Sequence, residues 1–358
     1  MKREEYFEFL KETSELTSPV IQRYTETFLD INKDLYDVLM FFIQKRLNKP
    51  LLKPALLRLS YEICGGQDWE KVIPAAVAFE FINISSYQAN SVFDNKLNVI
   101  TKPQKDSQFI ASMVTRELAS KVASELKKDF DEHIVNEIYV SLSKCNEYIY
   151  LAQHYDLNVL NVKNYETYVD EQLFQDEYIK RCFYGSGIFN GQCAYVGGLL
   201  AKANPGQLEA LREFGENFGT ALQMVNDIGD FIPSGTDKLI NRSFQDQYSD
   251  FKNGRLTLPL YHLLKLGNLD KGKRIKNIMD KKLFDGQTLL DVTNILIEEG
   301  SISYAKEKAK EFIKLGKKQL RIFEEIKSKR LLHVMATIIL TNKYFSAFKK
   351  LPKLQIKT

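Results

Sequence analysis

Three oxygen-bearing side chains stand close together in the stretch Gln223-Met-Val-Asn-Asp-Ile-Gly-Asp-Phe231. On a helix, residues three and four apart share a face, so Asn226 and Asp230 stack one turn apart with Asp227 beside them. A cluster of hard oxygens suits Mg²⁺, which takes a few protein oxygens and completes its shell with water and phosphate. The plain alternative is an acidic helix end with solvated carboxylates. No other chemistry is as well signalled. The histidines (His133, His154, His262, His333) are dispersed. Cys64, Cys145, Cys182 and Cys193 are far apart with no Cys-x-x-Cys spacing, which argues against a zinc site or a disulfide framework.

The elements that must carry this cluster are helices. Of 358 residues, 44% are hydrophobic and 27% charged, with only 18 glycines and 9 prolines, a balance that favours long helices over short strands and turns. The formal net charge of +4, from 50 basic and 46 acidic residues, is too even to argue for nucleic acid. The start, MKREEYFEFLKET, is charged and amphipathic rather than a signal peptide. The longest apolar stretch, 72–84, contains Glu80 and Asn83 and is too short to span a bilayer. A soluble, cytoplasmic protein is expected.

Apolar positions recur at helical spacing through 4–46, and Asn48-Lys-Pro50 breaks the pattern. Pro54 opens a helix over 55–64 that Gly65-Gly66 ends. A long buried helix is predicted over 70–93, amphipathic ones over 107–128 and 132–156, and a connection at 158–164. The Gly-rich stretch 186–198 implies close helix approach or room for a ligand. Pro205-Gly206 turns the chain into a helix over 207–230, 231–253 is loop-like, and 255–262 restarts a helix. Helices over 288–299, 303–327 and 331–349 complete an all-α fold. It is read as one domain over 1–358, with N-terminal helices to 47 and a core bundle over 48–350.

This arrangement resembles the trans-isoprenyl diphosphate synthase (polyprenyl synthetase) family from about residue 48 to 345. Residues 223–230 look like its second aspartate-rich motif, and Asp250-Phe-Lys-Asn-Gly-Arg-Leu-Thr-Leu-Pro259 looks like the segment that follows it. Weaker support comes from Lys53-Pro-Ala-Leu-Leu, from Glu80, and from Gly300-Ser-Ile-Ser-Tyr-Ala305. The resemblance implies a bundle in which two acidic helices hold about two to three Mg²⁺ around a prenyl diphosphate, whose ionisation metals and cations assist. It implies Asn226, Asp227 and Asp230 as catalytic metal ligands, oriented by Gln223, with Asn90 and Asp94 on the opposite side. Arg255, Lys53, Arg181 and Lys180 would contact the diphosphate. Tyr87 and Phe189 would contact the substrate, and the small Ser85 and Ser86 would leave its tunnel open; as a binding protein, the bundle could hold a hydrocarbon between Phe79, Tyr87, Phe93 and Phe189. Family members associate as dimers.

The departures from the family pattern are specific. The first motif is here Asn90-Ser-Val-Phe-Asp94, so only Asp94 keeps a carboxylate. Positions that carry family cations hold Val99, Ile100, Gly185-Ser186 and Gln245, leaving Lys53 and Arg255. Desolvating a diphosphate without cations is costly, so condensation with isopentenyl diphosphate is not expected. The reading placed first is an enzyme that ionises one prenyl diphosphate and cyclises it or transfers the prenyl group. Asn226, Asp230 and Ser234 support it by resembling the metal triad of class I terpene synthases. The alternatives are a catalytically silent or regulatory subunit of a heteromeric synthase, and a helical binding protein for an apolar ligand. The implied partners are a prenyl diphosphate and a second chain, identical or related.

Overall fold

A computed structural model describes residues 3–94, 105–168, 170–231 and 247–341, and within them the chain is predominantly helical. The helices are α1 (Arg3–Glu26), α2 (Lys33–Leu47), α3 (Leu52–Ile63), α4 (Ile73–Phe93), α5 (Lys105–Ala123), α6 (Glu132–His154), α7 (Glu171–Cys182) and α8 (Ile188–Leu200). There follow α9 (Pro205–Gly229), α10 (Ser249–Lys252), α11 (Leu258–Tyr261), α12 (Leu269–Asp280), α13 (Gly286–Glu298), α14 (Ser301–Gln319) and α15 (Lys327–Thr341). Among the described residues there is no strand, only an isolated antiparallel bridge between Asn161 and Arg255. The all-α expectation holds. Helix α12, which the periodicity did not reveal, begins at Asn268, whose side chain accepts from the Asp270 and Lys271 amides.

The helices gather into two compact units. The first comprises residues 1–150, 187–219 and 315–336. Its axis is α4, buried almost continuously from Ala75 to Ser85, because an apolar all-round sequence must be covered on every side. It packs against α5 and α3. Phe79, Phe81 and Ile82 are each sealed from solvent, and burying a side chain of this size stabilises by roughly 1.5–3 kcal/mol. Helix α3 packs closely on α8, and the glycines say why. A Cβ at Gly197 would lie 2.4 Å from the Leu57 carbonyl oxygen, and one at Gly215 on α9 would lie 2.3 Å from the Asn190 carbonyl oxygen. The Gly-rich stretch therefore serves helix approach at Gly197.

The second unit comprises residues 151–186, 220–314 and 337–358. Phe174 stacks on Tyr261 with ring centroids 3.7 Å apart, and Tyr168 and Tyr178 flank Phe174. Two single π-helical turns, Tyr155–Val159 and Phe183–Gly187, interrupt the helical path here. Each inserts a residue into the ladder, a distortion common near functional sites. Gly254 has φ +72, and the chain on either side of it is pinned to the connection after α6. Val162 donates to the Gly254 carbonyl, and Leu256 to the Leu160 carbonyl, both at 2.8 Å. This fixes the backbone of Arg255.

Candidate functional site

The second aspartate-rich stretch ends α9 inside the second unit. Asp227 is fully buried and both its oxygens are engaged. Oδ1 accepts from Arg181 Nη1 at 3.0 Å and Gln223 Nε2 at 2.9 Å. Oδ2 accepts from the same Arg181 nitrogen at 2.8 Å and from the Tyr178 hydroxyl at 2.7 Å. Gln223 thus contacts Asp227 one turn along the same helix. Burial pushes the Asp227 carboxyl above its ordinary pKa while the Arg181 guanidinium pulls the other way.

Arg181, buried on α7, is itself held at its far edge. Its Nε donates to Asp156 Oδ1 at 2.6 Å and its Nη2 to Asp156 Oδ2 at 3.1 Å. The guanidinium is thus clasped between two carboxylates, the bidentate geometry that suits its planar fork. Burial works against its charge, but Asp156 and Asp227 together hold its pKa well above the usual value. Asp156 escaped the sequence reading. It lies 25 residues before Arg181 in a π-helical turn, with no periodic relation to mark it. Lys180, beside Arg181, is exposed and paired with Glu177 at 2.7 Å.

Asp230 does a different job. Its Oδ1 accepts from the Ser249 amide at 2.8 Å, and its Oδ2 from the Asp250 and Phe251 amides at 3.1 and 3.2 Å. It caps the short helix α10 from another segment, satisfying amides that otherwise lack an intrahelical partner. The cap positions Asp250, whose Oδ1 accepts from Arg255 Nη1 at 2.7 Å. Arg255 is buried against that carboxylate. Asn226 is the exposed member of the trio. Ser234, Val99, Ile100 and Gln245 lie outside the described residues.

In the first unit, Lys53 on α3 is buried, with Nζ donating to Asn190 Oδ1 at 2.7 Å and lying 4.7 Å from the Phe189 ring centroid. Burial holds its pKa down to about 8, against Cys193 and Glu80, which favour the charged form. Phe189 stacks on Phe79 at 6.0 Å, and Phe93 meets Phe109 at 6.1 Å. Glu80 is buried, with Oε1 accepting from Asn83 at 2.9 Å and lying 2.6 Å from Arg46 Nε. Ser85 is buried, Ser86 Oγ donates to the Asn83 carbonyl at 2.7 Å, and Tyr87 is 58% exposed. Asn90 is half-buried, and its carbonyl accepts from the Asp94 amide at 2.8 Å. Asp94 is buried at the end of α4.

This donor set is a poor fit to several Mg²⁺ ions. Asp227 and Asp230 spend their lone pairs on the chain, while Asn226 and Asn90 offer neutral carbonyls. Hard divalent cations prefer charged oxygens with lone pairs to give. Among the described residues, no group of three or more His, Cys, Asp or Glu is arranged to hold a metal ion.

The model of the polyprenyl synthetase family matches residues 49–296. The chain belongs to that family. A short chain isoprenyl diphosphate synthase of Methanocaldococcus jannaschii is 26% identical over 292 residues, covering 80% of this chain and 83% of that protein. The solved geranylgeranyl pyrophosphate synthetase of Pyrococcus horikoshii superposes with a TM-score of 0.77 at 22% identity, covering 96% of this chain and all of the other. A geranylgeranyl pyrophosphate synthase of Corynebacterium glutamicum, solved with isoprenyl diphosphate and magnesium, superposes at 0.73 with 14% identity. It covers 93% of this chain and 98% of the other. At these identities the structural likeness speaks for the fold. The polyprenyl synthetase match runs through residues of both compact units.

Proposed function

We propose that this polyprenyl synthetase chain is a non-catalytic subunit that pairs with a related, full-motif synthase and shapes its product. The observation that carries this reading is the engagement of Asp227 and Asp230. Asp227 is tied to Arg181, Tyr178 and Gln223, and Asp230 to three backbone amides. A charged oxygen must be released from such partners before it can bind a metal, and leaving buried donors unpaired costs about 1–3 kcal/mol each. Arg181 is equally committed, so the same contacts that silence the acids also occupy a cation. Mg²⁺ and prenyl diphosphate chemistry then belong to the partner chain. On this reading the chain is one synthase-like domain. Buried, unpaired Cys145, Cys182 and Cys193 support a reducing, cytoplasmic setting.

A second reading rests on the exposure of Asn226 and Lys180. They leave a neutral oxygen and a cation at the surface of an enzyme that ionises one prenyl diphosphate and cyclises or transfers it. One experiment separates the two. The purified chain is given Mg²⁺ with geranyl, farnesyl or geranylgeranyl diphosphate, with and without isopentenyl diphosphate, and diphosphate release is measured. No release is expected from the chain alone. Co-expression with a full-motif synthase should give a co-eluting complex whose product length differs from that of the synthase alone. Turnover by the lone chain, lost in Asp227→Asn, would overturn the subunit reading and establish the second.

A further inference from the structure

Charge is distributed unevenly along this chain. Residues 301–358 hold fifteen lysines and arginines against four glutamates, so the near-neutral total conceals a basic C-terminal part and an acidic remainder. Within the basic part, residues 315–330 belong to the first unit. They carry Lys317, Lys318, Arg321, Lys327, Lys329 and Arg330 against Glu324 and Glu325. Lys329 is buried, donating to the Phe323 carbonyl and paired with Glu325, which spends one of the two acids internally. Lys318, Arg321, Lys327 and Arg330 are exposed.

Among these cations the fold leaves three large aliphatic side chains in solvent. Leu315 is 49% exposed, Ile322 59% and Ile326 37%. Their exposure is not the fraying of a loose segment, because Leu320, Phe323 and Leu331 between and beside them are buried. Isolated exposed aliphatics are ordinary. Three of them are interleaved along sixteen residues with four exposed cations, of which Lys327 also lies 3.9 Å from Glu5.

We propose that the surface of residues 315–330, with Leu315, Ile322 and Ile326 set among Lys318, Arg321, Lys327 and Arg330, docks on an anionic phospholipid bilayer. Cations gain from lipid headgroups within a Debye length, and aliphatic side chains gain by entering the boundary between headgroups and acyl chains. A nucleic-acid backbone would use the cations and leave the aliphatics in water. No described helix is long and apolar enough to cross a membrane, so the attachment is to the surface. The inference does not depend on whether the chain turns over a substrate.

Vesicle flotation of the full chain tests it, using phosphatidylcholine alone or mixed with phosphatidylglycerol. Wild type is expected to float with the mixed vesicles about ten-fold more than with the neutral ones, and to be released at high salt. Lys318→Glu with Arg321→Glu should abolish flotation. Ile322→Ser with Ile326→Ser should weaken it several-fold without changing its salt dependence. All four positions are exposed, so melting temperatures should stay at the wild-type value. Absence of flotation, equal flotation with neutral vesicles, or indifference to the isoleucine changes would overturn the proposal. So would duplex DNA binding that outcompetes the vesicles.

Discussion

Lys53 keeps its place in a motif and is buried. Its ammonium is enclosed by Asn190 and the Phe189 ring, and the folded state holds its pKa at about 8 against an ordinary 10.5. Burial therefore disfavours the ammonium in the folded form, which gives up its proton more readily than the unfolded chain. As pH falls through 10.5 the unfolded chain takes the proton first, and the folded protein loses stability until about pH 8, below which the penalty is complete. Relative to Lys53→Met, which lacks this titration, wild type should lose stability as pH falls from 10.5 to about 8, a gap that closes again as pH rises. Urea titrations of both proteins across that range measure it. A gap that is absent or opposite in sign would place the charge in better company than the geometry indicates. The same scale shows what a sequence hides. Asp227 stood out by its place in the aspartate-rich stretch and Arg181 only by a family resemblance, and neither signal showed that the two would pair. Asp156 was not, since a contact closed by folding leaves no spacing to read, and only the folded chain shows that Arg181 has two carboxylates.

At the level of elements, periodicity found most of the helices because burial imposes it, as along α4. It missed what periodicity cannot encode. The π-helical turns at 155–159 and 183–187 each shift the register by one residue, and α12 is short and largely polar. Asp230, expected from its motif as a metal ligand, clasps α9 to α10 through three backbone amides. Asp230→Asn keeps the shape and removes the charge. It is expected to cost about 1–3 kcal/mol of stability, since three amides lose a charged acceptor. Hydrogen exchange at Ser249, Asp250 and Phe251 should accelerate well beyond that at Phe174, which sits in the aromatic core. Unchanged exchange at those amides would mean that α10 is held by other contacts.

For the whole molecule, the all-α class and the family were readable from composition, helical period and two motifs in the right order. Whether the site is open was not, because that depends on partners brought together by folding. One bulk measurement follows. With Asp227 and Asp230 engaged internally, the protein should melt at the same temperature with millimolar Mg²⁺ or with EDTA, whereas a ligand present at a hundred times its Kd stabilises by about 2.7 kcal/mol. A clear upward shift with Mg²⁺ would show that an acid is released to the ion. The Arg181 clasp also bears on how this lineage can change. Replacing Arg181 alone would leave the buried Asp227 charge with only Tyr178 and Gln223 to hold it, and replacing Asp227 alone would remove the carboxylate itself. Loss of Asp156 would leave the guanidinium closed on Asp227. On the subunit reading, no single substitution in the clasp would restore an open acid beside an available cation without first passing through a weakened fold, so the clasp would work as a ratchet against metal chemistry.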